Sequence, residues 1–534
     1  LIGNMNWKGG VVRNSSGPDW DAGLYDLSTI EGAPTVSGVH ISRIDARSDI
    51  AYEDSSEFRR KLEETGDGYP STRPWYPFTH AGITTEALGA ADSKYPYPVK
   101  IWINYYINQR HSVPGGIRFE DTFTDPDKIP LFISVDTTIS ETSIYADYIV
   151  PDVMYLDGQY GFMGQQTGAV TAYGSAIRQP VVEPLTGRTD DGRAMLMENF
   201  LIDLAVRLGL PGFGKAAIPG DSGGPHAGKR FDLLKYEDYM VRGVANFAHN
   251  AGVGPAPASE QDYVSRFPVA AHRNVMTDDE WARAVAVLAR GGYFDPPEAA
   301  WNGERHTIGV KLDDRAPLQI WNEVLGSTKE SQTGRDRWGG PTFKEPEDGV
   351  GRKLSALDGD EYPFTVVTFR LPIRTKSRTA YDYWAIEVMP ENRVEINPQD
   401  AVNLGIVTGD RVRIASRSGH AEGIAKVSPR VSPGVIAGTH HFGHTQQGTS
   451  EWTITGGAID AVAGGRNYDP VLHDMTSSNV DGHRVKADRR RGAAGFNVND
   501  AMRRNNDVLD DIPLVDNAGG ATIFLDSRVK LEKL

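Results

Sequence analysis

An irregular α/β lobe followed by a smaller β-barrel or sandwich is the fold the sequence predicts, and three observations carry it. The chain has 534 residues, more than one hydrophobic core serves, so two or more domains are expected. Short apolar runs that end in polar residues alternate with amphipathic helices through the first two thirds. Beyond residue 362 the helical period gives way to short strands separated by turn residues. The first domain is expected over residues 1–355 and the second over 363–534, and no fixed-period repeat points to a solenoid or propeller.

Composition narrows the class. Hydrophobic residues at 39% and charged residues at 24% are those of an ordinary globule, which excludes wholesale disorder, collagen and coiled coil. Fifty-six Lys and Arg against 71 Asp and Glu leave a formal charge of −15, which disfavours nucleic acid as the principal partner. Apolar stretches such as Ala284 to Leu288 fall far short of the roughly 20 residues of a membrane-spanning helix. The absence of cysteine excludes disulfides, cysteine-based zinc sites and cysteine-ligated iron–sulfur clusters within this chain. A start at Leu1 without a basic or apolar leader is expected of a processed product or a portion of a longer chain.

The elements follow in order. Val99 to Asn104 (VKIWIN) and Leu131 to Val135 (LFISV) are partly β-branched and suit parallel strands in a covered sheet. In Gly192 to Leu208, the three-to-four spacing of Met197, Leu201, Leu204, Ala205 and Leu208 predicts an amphipathic helix that Gly209 and Pro211 end. A second helix covers Thr277 to Arg290, with Thr277 and Glu280 at capping-box spacing. From Gly326 to Tyr362, Gly, Pro and charged residues displace the hydrophobic pattern, which predicts the domain boundary. Strands are then expected at Phe364 to Phe369, Arg393 to Ile396, Arg411 to Ser416 and Glu422 to Val427. Between the second and third, Asn397 can cap, Pro398 suits a first helical turn and Gly405 ends it.

Several polar groupings invite a ligand, each with a plainer reading beside it. Asp136, Thr137, Glu141 and Thr142 follow a strand, where such residues also serve as loop caps. Asn104 and Asn108 carry amides that donate and accept, or they are turn residues. Pro114-Gly115-Gly116 permits close backbone approach, as ordinary turns do. Thr375 to Thr379 (TKSRT) gathers two cations and three hydroxyls, a phosphate-like composition or a solvated hairpin tip. In Thr439 to His444 (THHFGH) three imidazoles fall within five residues. Zinc of the HExxH kind is not expected, because the glutamate is missing and Pro433-Gly434 argue for strand and loop. Asn499 either faces a ligand or caps the turn DAMRR, and Asp488 to Arg491 reads as a solvated charged face.

Three stretches read in order, VEINPQDAVNLGIVTGDRVRIASRSG, VSPGVIAGTHHFGH and GFNVNDAMRR, resemble the C-terminal domain of the dimethyl-sulfoxide-reductase family of molybdenum or tungsten enzymes. INYYINQRHSVPGG and LFISVDTTISETSIYADYIVPD resemble its second nucleotide-binding region, with Gln109 where the family often has Pro. The opening LIGNMNWKGG is similar to a segment in the middle of full-length members, so the resemblance implies a C-terminal half. AIRQPVVEPLTGRTDDGRAMLMENFLIDLAVRLGLPGFG and HFGH look most like catalytic subunits acting on sulfur oxyanions, tetrathionate reductases first, then thiosulfate, polysulfide and arsenate reductases.

The resemblance implies a six-stranded double-psi-type barrel behind a nucleotide-binding lobe, and a bis(molybdopterin guanine dinucleotide) cofactor carrying Mo or W. It implies cofactor contacts from Asn104, Asn108, Asp136, Thr137, Glu141, Thr142, Lys376, Ser377, Arg378, Thr379, His440, His441, Gly443, Asn497 and Asn499. His441, His444 and Arg378 are the catalytic candidates, as groups that stabilise oxyanion charge. No metal ligand is expected in this chain. The metal's protein ligand and an iron–sulfur cluster are expected on an N-terminal half. A ferredoxin-like iron–sulfur partner, a membrane anchor and a periplasmic or outer-face location complete the expectation. The competing readings are a non-catalytic scaffold for electron-transfer proteins and an α/β binding protein of unrelated function.

Overall fold

The computed structural model describes residues 51–76, 84–95, 97–154, 156–157, 161–164, 174–184, 186–220, 226–294, 320–374, 379–380, 382–446, 452–454, 483–485 and 495–534. Two compact units result: among the described residues, 150–294 make one, and 51–149 with 320–534 make the other. The second unit is thus discontinuous in sequence, unlike the sequential pair with a break between 355 and 363. Gly326 to Tyr362 belongs wholly to the second unit. Ion pairs knit it internally, Glu330 to Arg335 at 2.7 Å and Lys344 at 2.5 Å, and Arg335 to Glu347 at 2.6 Å, while Ser331 bonds to Ser71, Gly349 N donates to Asn505 Oδ1 and Arg352 pairs with Asp507.

The first unit is built on helices. Tyr236–Asn250 and Asp278–Ala289 pack through Val241, Val244, Phe247, Trp281, Val285 and Leu288. The second of these carries the expected capping box: Thr277 Oγ1 accepts from Glu280 N and the Glu280 carboxylate accepts from Thr277 N. The helix at Met197–Arg207 also forms, but its buried face is Asn199, Ile202 and Ala205, while Leu201 and Leu208 are exposed. Polar Asn199 takes a core position because its amide ties two main-chain groups, donating to Ala194 O and accepting from Tyr236 N.

The second unit joins a sheet to a barrel. Strand β1 (Trp102–Tyr105) pairs in parallel with β2 (Phe132–Asp136), in register Asn104 with Ser134, and β3 (Tyr148–Pro151) completes the order β1-β2-β3. Phe119, Phe123, Phe132, Leu88 and Ile512 form the core beneath it. The barrel strands are β4 (Phe364–Phe369), β5 (Val394–Ile396), β6 (Arg411–Ala415), β7 (His420–Val427), β8 (Val435–Thr439) and β9 (Ser527–Lys533). They close in the order β5-β7-β6-β9-β4-β8, with β5·β7 and β8·β4 parallel and the other pairs antiparallel.

Alternating residues fill the barrel: Val366, Val394, Ile396, Val412, Ile414, Ile436, Val529 and Leu531 are buried together. Its inserted helix, Pro398–Leu404, is capped as expected, Asn397 Oδ1 accepting from Gln399 N at 2.9 Å and Gly405 ending it at φ +64°. Four of the barrel strands coincide with the short β runs of the sequence. β8 and β9 do not announce themselves there, because each needs the closed barrel to show which face is buried.

Candidate functional site

Four chain segments of the second unit converge. Two come from the carboxyl ends of β1 and β2, where ligands of parallel sheets bind. After β1 comes the short helix Gln109–Ser112, and after β2 the loop 136–146. From the barrel come the loop 440–446 after β8 and the turn Val498–Ala501. Asn392 fastens the last two, its Nδ2 donating to Thr439 O and Phe496 O while Oδ1 accepts from Phe496 N. Gly443 sits at φ +72°, and a Cβ there would lie 2.3 Å from Asn497 N. Glycine is therefore required where the histidine loop crosses the asparagine turn.

Glu141 is the centre. It is 2% exposed, and Oε1 accepts from Thr445 N at 2.7 Å, Gln446 N at 2.9 Å and His444 Nδ1 at 3.1 Å. Its Oε2 accepts from Asn108 Nδ2 at 2.6 Å. Burial alone would raise this carboxyl, but the His444 imidazole first and then the Asn108 amide hold it well below the usual carboxylate range. Asn108 in turn accepts from Thr142 Oγ1 at 3.0 Å. Glu141 and Asn108, expected as contacts to sugar or nucleotide, thus bond to each other and to the loop that carries His444.

His111 stacks on His444, ring centroids 3.7 Å apart and planes within 12°. Burial first, then the neighbouring His444 charge, push its imidazole down to about 3. It is therefore neutral, with Nε2–H donating to Phe442 O at 3.0 Å. Its own carbonyl accepts from Asn499 Nδ2 at 2.9 Å and Asn497 Nδ2 at 3.2 Å. Asn497, not Asn499, caps the turn, accepting from Asn499 N. Arg110 binds the same region, reaching Glu120 at 2.5 Å and Asp500 at 3.1 Å.

The remaining expected residues divide. Asp136 is half-buried and its Oδ1 accepts from Thr137 N, a loop-cap arrangement. Asn104 Nδ2 donates to Ile107 O at 2.6 Å. His440 and His441 are half-buried, and His441 lies at φ +77°, a strained backbone for a non-glycine residue. Thr379 is half-buried and its carbonyl accepts from Arg374 Nη1 at 3.1 Å. Lys376, Ser377 and Arg378, and the run Asp488 to Arg491, lie outside the described residues. The Gly115-Gly116 pair serves packing, since a Cβ on Gly116 would sit 2.4 Å from Gln109 O and one on Gly115 2.7 Å from Arg504.

Two residues escaped sequence reasoning. His111 lies within a stretch that the sequence marks out, but nothing in one sequence announces a stacked partner 333 positions away. Arg374 adjoins the TKSRT cluster. It is 3% exposed, lies over the Phe442 ring at 4.5 Å and donates to the carbonyls of Thr379 and Met389.

Whether these residues fit a large polar cofactor is answered by buried atoms that find no partner among the described residues. Buried Asn104 Oδ1, Ser134 Oγ, Gln109 Oε1, Thr439 Oγ1, Asn499 Oδ1 and Arg374 Nε are such atoms, all in the second unit. Leaving each unmet costs about 1–3 kcal/mol. A pterin dinucleotide, with donor and acceptor edges and anionic phosphates, matches that mixture.

The profile of the molydopterin dinucleotide binding domain family matches residues 364–472, the segment that opens with β4 and holds β5 to β8. Barrel and site together define a molybdopterin-binding protein. Residues 364–472 thus form a molydopterin dinucleotide binding domain, and the chain is similar to the dimethyl-sulfoxide-reductase family of molybdopterin proteins. It is 36% identical to a tetrathionate reductase subunit from Archaeoglobus fulgidus over 82% of this chain and 40% of that protein. Against the corresponding tetrathionate reductase subunit from Salmonella typhimurium it is 36% identical over 85% of this chain and 44% of that protein. A selenate reductase subunit from Mesobacillus selenatarsenatis is 29% identical over 100% of this chain and 49% of that protein. The chain thus spans less than half the length of these relatives.

Proposed function

We propose that this chain is the C-terminal half of the catalytic subunit of a bis(molybdopterin guanine dinucleotide) oxidoreductase, and that its substrate is a sulfur oxyanion such as tetrathionate. The observation that supports the reading is the set of unmet buried polar atoms among the described residues of the unit that also holds the matched barrel. When bound, the cofactor supplies the two-electron redox chemistry at Mo or W. The protein's part is to hold and orient it. Asn499 and Asn104 offer carboxamide oxygens to pterin or guanine donors, and Arg374 with Lys376, Ser377 and Arg378 supplies the cations and hydroxyls that suit anionic oxygens. His441 and His444 belong to the loop whose imidazoles would stabilise charge on a reduced oxyanion.

Electrons would arrive through iron–sulfur clusters on the N-terminal half and a ferredoxin-like partner, with a membrane anchor and a periplasmic or outer-face location in the same reading. The test is metal analysis of the purified complex together with guanine nucleotide released by acid. Molybdenum or tungsten with about two guanine nucleotides per chain is expected, as the cofactor itself requires. A complex with neither would sink the reading and leave the scaffold alternative. Viologen-linked reduction of tetrathionate, thiosulfate, selenate and arsenate then ranks the substrates. The selenate-reductase relative, matched over this whole chain, favours a selenium oxyanion as the second candidate.

A further inference from the structure

We propose that Glu141 and His111 are positioning residues for His444, the carboxylate fixing the direction and charge of its imidazole and the His111 ring fixing its plane. The inference rests on the cofactor reading above and adds to it how one histidine is made ready for an anionic ligand.

Saturation of the carboxylate is the first argument. Glu141 receives two main-chain N–H groups, one carboxamide and one imidazole, so it has no capacity left for a ligand. What it can do is act on its neighbours. An Nδ1–H donated to a carboxylate sets the tautomer of an imidazole, and turns Nε2 to the opposite side of the ring. The two main-chain donors, Thr445 and Gln446, belong to the loop that carries His444, so the carboxylate holds the loop as well as the ring.

Stacking is the second. Two imidazoles 3.7 Å apart and nearly parallel tolerate one positive charge between them, not two. The geometry decides which ring carries it. His444 has the carboxylate at 3.1 Å, whereas His111 faces a main-chain carbonyl, and burial favours its neutral form. Other charged groups near the pair are spoken for: Arg110 is shared by Glu120 and Asp500. The result is a buried cation of fixed direction, adjoining a histidine whose carbonyl also carries the Asn497 and Asn499 amides. A single residue, His111, thus braces both the charge and the orphaned Asn499 oxygen.

The experiment uses the purified complex with Glu141→Gln, His111→Phe and His111→Ala. Glu141→Gln keeps the shape and a carbonyl-type acceptor for the loop N–H groups but removes the charge that faces the His444 imidazole. Expected are near-normal guanine nucleotide and metal content, kcat lowered about tenfold or more at neutral pH with little change in KM, and recovery of kcat as pH falls toward about 5. His111→Phe, which keeps a flat plate, should retain most activity where His111→Ala does not. Spectra of histidine-labelled protein give a readout independent of turnover. One imidazolium should be present in the wild type and absent from Glu141→Gln.

The proposal is overturned if Glu141→Gln keeps wild-type kcat with a flat pH profile, or if its loss of activity simply tracks loss of cofactor at every pH. A wild-type complex without metal or guanine nucleotide overturns the cofactor reading instead. The histidine spectra then decide the charge arrangement alone, persistence of the imidazolium in Glu141→Gln refuting it.

Discussion

Two carboxylates are buried to nearly the same depth, Glu280 in the first unit at 3% exposure and Glu141 in the second at 2%, and their company differs. Glu280 meets a guanidinium, Arg242 Nη2, at 2.6 Å, and its other oxygen closes a capping box and lies 2.9 Å from His226 Nε2, so that an imidazole there is added to a permanent cation. Arg242 donates onward to Asn246 Oδ1, whose amide donates to Pro219 O, and its guanidinium lies over Phe231. Glu141 meets an imidazole, one carboxamide and two main-chain N–H groups, and Asn499 Oδ1 in the same unit is left unmet among the described residues. A permanent cation with matched neighbours holds a fold together. An imidazole whose proton depends on a neighbour, set among unmet acceptors, is an arrangement that awaits something else.

The largest expected effect tests the structural member. Arg242→Met leaves Glu280 buried without its fixed cation, which should cost about 3–5 kcal/mol. A lowered urea midpoint would register it, with cofactor content per folded molecule unchanged. A cost under about 1 kcal/mol would mean that His226, with Nε2 2.9 Å from Glu280, takes over the charge, and the contrast between the two sites would narrow.

Acid should separate the sites next. The unfolded chain's imidazole takes a proton below about pH 6.5, whereas folded His111 refuses one until about 3. In that window the unfolded state binds more protons, so stability falls as pH falls, by roughly 1.4 kcal/mol per unit for one group. Glu141, depressed in the folded state, adds a loss of the same sign below the usual carboxylate value. His272 of the first unit, pushed down to about 4 by burial, also contributes in this direction. The difference between wild type and His111→Gln isolates the site: the slope between about pH 6.5 and 4 should fall by about one proton. An unchanged slope would mean that His111 is already charged when folded, and the stack would then carry its one charge on His111 rather than His444.

Asn499→Leu is a smaller perturbation of stability with a specific consequence. It forfeits the bond to His111 O but also removes an unmet buried oxygen, so the net change should stay within about 1 kcal/mol. Retained guanine nucleotide should nevertheless fall about tenfold, the cost of one good hydrogen bond to the cofactor. Equal losses of stability and cofactor would recast Asn499 as another Glu280-type structural contact.

Legibility in the sequence follows the same division. Local chemistry is readable: the Thr277–Glu280 box, the Asn397-Pro398 start and the Gly405 stop each lie within a few residues of what they act on. So are strands such as Phe364–Phe369, whose pattern is complete in six residues. The site's membership is readable in part, since Glu141, Asn108, His444, Asn497 and Asn499 all stand out in the sequence. Their roles are not, because Glu141 meets His444 across 303 positions, and only that meeting removes it from ligand contact. Ser134 is hidden for a related reason: a serine inside an apolar strand looks like filler until its register partner proves to be Asn104.

The smallest predicted effect bears on whether the structural site is a unit. Thr277→Ala removes a cap oxygen from Glu280 N at 3.2 Å, ordinarily worth about 1 kcal/mol. Here the same glutamate serves the cap through Oε2 and the ion pair through Oε1. If the two functions are independent, Thr277→Ala and Arg242→Met add within about 0.5 kcal/mol in a double-mutant cycle of urea denaturation. A coupling well beyond that would show that the capping box orients the carboxylate for Arg242, so that the first unit, like the second, positions its buried charge through a neighbour.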